Sequence, residues 1–545
     1  MRNWLSVVLL ATLGVIRGVQ AADREPWSYV TADGIRGHVD FLAADLLEGR
    51  ATATRGHDIA AAYVAAHFRQ WGLQPTDNGS FYQSVPLVEA TAVLPGSSAE
   101  WRVENEKYNF DFGMDYLPSA DFLSASSTLS APLTFAGFGI EAPEQNYNDF
   151  ADIDVQGRIA VIFSGAPAKF PLDQRAYYSW NPVKYQTLIA RGAVGVVVVD
   201  SPEDAKATPW ERTLAMSWTP QMRWLDESGK PRDAFEELKL RFRFTQEAAA
   251  KLFAGAQHSF DEALSAAQAG EPQGFDLPGL LTLSATTGLR RTESANVVAV
   301  LPGSDPRLKN EYVVLSAHLD HLGRGAAVNG DSIYNGAHDN ALGVGMLLEI
   351  VRAMRESGVK PRRSLIVAVL TAGEKGQLGS DYFAQHPPAP ASSLIADINI
   401  DTPLLFAPLQ DFIALGANHS SLGALARSAA ASQGYRLSSD PAPELAGFMR
   451  SDQFSFVRQG IPALALTGGI KSRDRSVDAA ELRREFLQRH HRQPSDDLNA
   501  PMHYPTAADL AQLNLRIVLD VANATGRPRW KSGDFFAEKF ARPPQ

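Results

Sequence analysis

The chain has 545 residues, of which 45% are hydrophobic and 21% charged, with a formal net charge of −10 and no cysteine. That length exceeds what one hydrophobic core organises, so about three domains or one large domain with inserts is expected, and the ordinary composition excludes a disordered or fibrous protein. Net negative charge without a long run of Lys or Arg argues against nucleic acid or an anionic membrane as partner, and zero cysteine excludes disulfides, thiolate metal sites and a cysteine nucleophile.

Met1–Ala21 combines Arg2, an apolar stretch from Trp4 to Ile16 and the ending Val19-Gln20-Ala21, the pattern of a signal peptide cleaved before Ala22. Arg17 interrupts the run before the about 20 apolar residues that a membrane span needs. An exported protein, periplasmic or secreted, with no span after cleavage is the expectation. Ile35–Leu73 then reads as two helices joined by a Gly/Thr/Arg-rich loop at residues 48–56. From Phe81 to about Ser130, short apolar runs separated by Gly, Pro and Asn predict strands and turns.

Leu133–Ile140, Ile159–Phe163 and Val194–Val199 are short β-rich runs, the last preceded by a helical stretch at Lys184–Arg191, and together they read as a self-contained insert. The charged stretch Arg232–Ala267 reads as helical and returns the chain to the main body. From Asn296 the pattern alternates: strands at Val297–Leu301, Tyr312–Ala317, Ser364–Leu370 and Leu394–Ile400, with helices at Asn340–Glu356 and near Ser380. Such alternation predicts an α/β fold with a mostly parallel central sheet flanked by helices, and parallel sheets bind ligands at the C-terminal ends of their strands.

Four segments place chemistry there. Ser316-Ala317-His318-Leu319-Asp320-His321 closes one strand; His318 offers a ring nitrogen to a metal while Asp320 can fix its tautomer, although a loop histidine bonded to a neighbouring aspartate is the plainer reading. Asp339, just before an apolar helix, reads by itself as an N-cap. Glu374 and Asp401 leave the ends of two further strands, so His318, Asp339, Glu374 and Asp401 converge on one rim. His490 and His491, in a polar loop, supply a last candidate. Two histidines and three carboxylates would balance two zinc ions and a hydroxide, with ligands at roughly 2.0–2.2 Å. Paired metals about 3.5–4 Å apart suit peptide hydrolysis.

Taken together these segments resemble the co-catalytic two-zinc aminopeptidases, in particular bacterial exported members with a protease-associated insert. Residues 316–323 resemble the first ligand motif, residues 336–340 the bridging-aspartate motif, residues 374–380 the glutamate segment and Asn399-Ile400-Asp401 the next ligand. Residues 450–452 and 460–462 are similar to a later structural signature, residues 47–50 and 72–75 to the N-terminal segment, and residues 137–139 and 154–158 to the insert. The resemblance implies a zinc exopeptidase fold divided into a signal peptide at 1–21, an N-terminal part of the peptidase domain at 22–130, the insert with its return segment at 131–275 and the main domain at 276–545. It further implies an aminopeptidase acting on peptides, with zinc held by His318, a bridging Asp339, Glu374, Asp401 and His491, and with Asp320 orienting His318.

Two positions depart from the pattern. The general-base glutamate is replaced by Gly373, and the last histidine, two residues before a proline, is replaced by Arg492, leaving His491 one residue early. General-base catalysis contributes roughly 10²- to 10⁴-fold, so a slowed hydrolase is expected, and a glutamate restored at Gly373 is expected to raise turnover at least tenfold. Other readings of the same scaffold are a peptide- or partner-binding protein with degraded chemistry, and a single-zinc enzyme of aminoacyl transfer or cyclisation.

Overall fold

The computed structural model describes residues 24–542 apart from 77, 78, 218 and 272; the expected signal peptide lies outside the described residues. A sheet of 16 strands runs through the whole of it. In its main part the strands Tyr312–His318, Ser364–Leu370, Leu394–Asn399 and Ala463–Gly468 are mutually parallel in the pairs they form. Asp411–Leu415 runs antiparallel to Ala463–Gly468 on one side, and Gly274–Leu301 runs antiparallel to Ser364–Leu370 on the other.

Both faces of this part are covered, which is why its strands read as nearly continuous apolar runs. Val313, Leu315, Ala317, Leu365, Val367 and Val369 pack into the core beneath helices Ala32–Leu42, Leu342–Ser357 and Tyr504–Asn523. Val314, Ile366, Ala368 and Leu370 face the opposite layer, formed by Leu378–Gln385 and Gln453–Val457. Period-2 alternation sorts these residues to the two sides.

The second lobe has a core of its own, with Leu133, Phe135, Val161, Phe163, Val197 and Val199 among its buried residues. Its strands Ser126–Ala136, Ile159–Phe163, Gly195–Val199 and Leu240–Phe244 extend the same sheet. The 28-residue strand Gly274–Leu301 serves both cores: Phe275, Leu277, Leu281 and Leu283 are buried in the second lobe, and Val297, Ala299 and Leu301 in the first.

The strands and turns expected from Phe81 to about Ser130 are present, as Tyr82–Val103, Glu106–Phe110, Tyr116–Pro118 and the start of Ser126–Ala136, the first a strand of 22 residues against Gly274–Leu301. One sequence expectation is corrected. Arg232–Ala267 is not helical throughout. Leu240–Phe244 is a strand with Leu240, Phe242 and Phe244 buried and the arginines between them turned outward, and only Gln246–Leu252 and Phe260–Ala269 are helices. Among the described residues, no helix is long and apolar enough to cross a membrane.

Candidate metal centre

Four loops leave the main sheet or a helix at the same rim. His318 ends its strand buried, and its Nδ1 faces the main-chain carbonyl of Asp320 at 3.0 Å. That contact leaves Nε2 aimed at Asp339 Oδ1 and Asp401 Oδ1, each 3.2 Å away. The orienting contact therefore differs from the one expected: the main-chain oxygen of Asp320 faces His318, with its carboxylate 3.9 Å from Nδ1. The carboxylate instead accepts hydrogen bonds from Gly373 N at 2.8 Å, Glu374 N at 3.2 Å and Thr52 Oγ1 at 2.9 Å. It ties the glutamate loop to the histidine loop.

Asp339 is not a helix N-cap. The helix begins at Leu342, and Asp339 has φ −117° and ψ 87°, with a cis bond to Asn340. Its main-chain N–H donates to Asp496 Oδ2 at 3.2 Å, and His338 N donates to Asp496 Oδ1 at 2.8 Å. The side chain is thereby free to face inward, and its two oxygens are divided between two groups. Oδ1 faces His318, while Oδ2 lies 3.2 Å from His491 Nε2 and 4.0 Å from His321 Nδ1.

Two three-ligand groups result, His318 with Asp339 and Asp401, and His321 with Asp339 and Glu374. His321 is fully buried, and its Nδ1 stands 2.9 Å from Glu374 Oε1. The ring nitrogens of His321 and the carboxylate oxygens of Glu374 are buried and form no other hydrogen bond, so Glu374 is matched only by the ion pairs with His321 and Arg492. Sequence reasoning did not assign His321 a ligand role, although it stands in the quoted His318-Leu319-Asp320-His321 run.

Asp401 is held from both sides: Thr402 Oγ1 donates to Oδ1 at 2.8 Å and Ser451 Oγ donates to Oδ2. Asn340 Nδ2 donates to Ile400 O at 2.9 Å and its Oδ1 accepts from Thr402 N at 3.1 Å, so the Asp339 and Asp401 loops are joined. Beneath them the guanidinium of Arg50, fully buried, donates to the carbonyls of Leu319, Leu42, Asn335 and Gly336. Burial lowers its pKa to about 10, against the pull of Asp496, Asp320 and Asp339.

The charges set the protonation. Burial alone would lower the His318 pKa, but Asp401 and Asp339 hold it well above the usual histidine value. Asp339 is held well below the usual carboxylate value, because hydrogen bonds from His318 and His491 outweigh its burial. Without an ion, the imidazolium and the carboxylate satisfy each other. A divalent cation would replace that proton.

Gly373 and Arg492 complete the picture. A Cβ built on Gly373 would lie 2.7 Å from His318 Cγ and 2.8 Å from its Cβ. The base position is thus closed, and the expectation that a glutamate there restores turnover does not suit this backbone. Arg492 Nη2 lies 2.6 Å from Glu374 Oε2.

Residues 296–518 match peptidase family M28. Leupeptin-inactivating enzyme 1 of Streptomyces exfoliatus is 29% identical over 128 residues, 23% of this chain and 26% of that protein, so the match spans about a quarter of the curated relative. An aminopeptidase from Aneurinibacillus sp. strain AM-1 superposes with a TM-score of 0.52 at 17% identity, covering 96% of this chain and 100% of that one. BSAP, a zinc aminopeptidase from Bacillus subtilis, superposes with a TM-score of 0.42 at 15% identity over 91% and 97% of the two chains. The Aneurinibacillus likeness shows a shared fold.

Proposed function

From the match of residues 296–518 to peptidase family M28, we propose that the chain is a zinc-dependent aminopeptidase that removes N-terminal residues from peptides outside the cytoplasm. The observation that carries this reading is the convergence of His318, Asp339 and Asp401 from three separate loops, with His318 Nε2 at 3.2 Å from both carboxylates. Imidazole and carboxylate donors without sulfur suit zinc, and three protein ligands leave a position for water or substrate. When bound, the ion supplies Lewis acidity and lowers the pKa of water, both of which peptide hydrolysis needs.

The protein's own part is positioning. The Asp320 carbonyl takes the proton side of His318 and leaves Nε2 for the ion. Thr402 and Ser451 hold the Asp401 carboxylate in one orientation. The Asp496 carboxylate fixes the main chain at Asp339. Two zinc ions, the number the resemblance implies, would share Asp339. Of the two groups, the one built on His318 receives no ion pair from Arg or Lys among the described residues.

Because Gly373 carries no base, turnover should be slow, with a deficit of roughly 10²- to 10⁴-fold. The close approach of Gly373 to His318 favours one second reading, a peptide-binding protein on the same scaffold. Release of p-nitroaniline from a panel of aminoacyl p-nitroanilides separates the two. The aminopeptidase reading expects release by the zinc-loaded full chain that stops on adding chelator and is absent in Asp401→Asn. Saturable peptide binding with no release above the Asp401→Asn background would overturn it.

A further inference from the structure

The two groups that share Asp339 differ in what already neutralises them. Among the described residues, the carboxylates of the His318 group pair only with imidazoles, His318 with Asp339 and Asp401, and His491 and His321 with Asp339. Glu374 in the other group is paired with Arg492, whose guanidinium is a permanent positive charge.

The surroundings of that pair show that it is built in. Glu374 is 2% exposed and Arg492 is 41% exposed, so the guanidinium closes over the carboxylate from the solvent side. Arg492 adopts φ +61°, a left-handed conformation that costs a side chain with a Cβ steric strain. This turn lets adjacent residues both reach the site: His491 approaches Asp339 Oδ2 and Arg492 approaches Glu374 Oε2. An ion placed on Glu374 Oε1 would face this fixed positive charge across one carboxylate.

Resting on the metal-peptidase reading, we infer that the chain holds one divalent cation, between His318, Asp339 and Asp401, and that Arg492 takes the place of a second cation beside Glu374. His321 then serves Glu374 as a neighbour at 2.9 Å rather than as a ligand. Arg492, the more exposed of the pair, supplies a permanent positive charge on the solvent side of Glu374.

The test is zinc stoichiometry, which does not depend on activity. The full chain is stripped with chelator, equilibrated with zinc sulfate, freed of unbound ion and analysed by plasma mass spectrometry. One zinc per chain is expected for the wild type and for Glu374→Gln, none for Asp401→Asn, and two for Arg492→His. Two zinc ions in the wild type, falling to one in Glu374→Gln, would overturn the inference, as would a single ion that Glu374→Gln abolishes or a count of one in Arg492→His. A wild type that takes up no zinc would instead remove the metal-peptidase reading beneath it.

Discussion

Gly373 rests against the imidazole of His318 so closely that an added Cβ would stand 2.7 Å from Cγ and 3.0 Å from Nδ1. Separations under 3 Å force a shift, and the group that must shift is a proposed zinc ligand. Gly373→Ala should therefore weaken zinc binding at least tenfold, about 1.4 kcal/mol. Gly373→Glu should show the same loss and no gain in turnover. Competition with a chromogenic chelator measures both, and an unchanged affinity in the alanine variant would show that the loop relaxes freely.

Arg50 is the keystone of two site loops, since its four donated hydrogen bonds reach carbonyls before, within and after them. Arg50→Met would leave several buried carbonyls unpaired, at about 1–3 kcal/mol each before relaxation. A loss of at least about 3 kcal/mol in denaturant unfolding is expected. Arg50→Lys should lose nearly as much, because a single ammonium cannot span the same carbonyls. Retention of wild-type stability by the lysine variant would refute this geometric role.

Asp496 and Asp497 are adjacent but differ in what they hold. Asp496 accepts the N–H groups of His338 and Asp339, whereas Asp497 serves only its own turn, through Asn499. Asp496→Ala should loosen the loop that presents Asp339 and weaken zinc binding by tenfold or more, about 1.4 kcal/mol. Asp497→Ala should leave it unchanged. Equal behaviour of the two variants in calorimetric zinc titration would contradict the assignment.

Stability should also fall in mild acid. Burial, aided by the neighbouring His67, lowers the His38 pKa to about 4 from 6.5. The unfolded chain then takes up protons first, so this contribution is complete above pH 6.5 and lost as pH drops toward 4. Its size is roughly 3 kcal/mol. Buried His57 and His338 are lowered in the same direction. Thermal unfolding at pH 7 and pH 4.5 should show a smaller drop for His38→Gln than for the wild type; identical drops would exclude His38 as a contributor.

The strands of the main sheet were legible because burial on both faces leaves uninterrupted apolar runs, and the positions of His318, Glu374 and Asp401 at strand exits follow from that. The long strands were less legible. Pro278 and Gly279 interrupt the apolar pattern of Gly274–Leu301 and sit where the register against Ser126–Ala136 shifts between Leu277 and Leu280, a bulge that admits them. Leu240–Phe244 carries a clear two-residue alternation, but helices on its C-terminal side and charged residues within it masked the signal. The role of Arg50 could not be read at all, since its partners are main-chain carbonyls, which any residue type supplies. Likewise Asp320 was expected to act through its carboxylate, whereas its carbonyl faces His318 and the carboxylate reaches a loop more than 50 positions away.

The strand Gly274–Leu301 gives the two lobes a common lever in place of a hinge. Its far end lies in the second core, while its near end pairs with Ser364–Leu370, the strand that delivers Gly373 and Glu374 to the site. Torsion applied at the remote lobe would travel along one strand, through its register shifts at Leu277–Leu280 and Ser284–Thr286, toward the loop that packs Gly373 against His318.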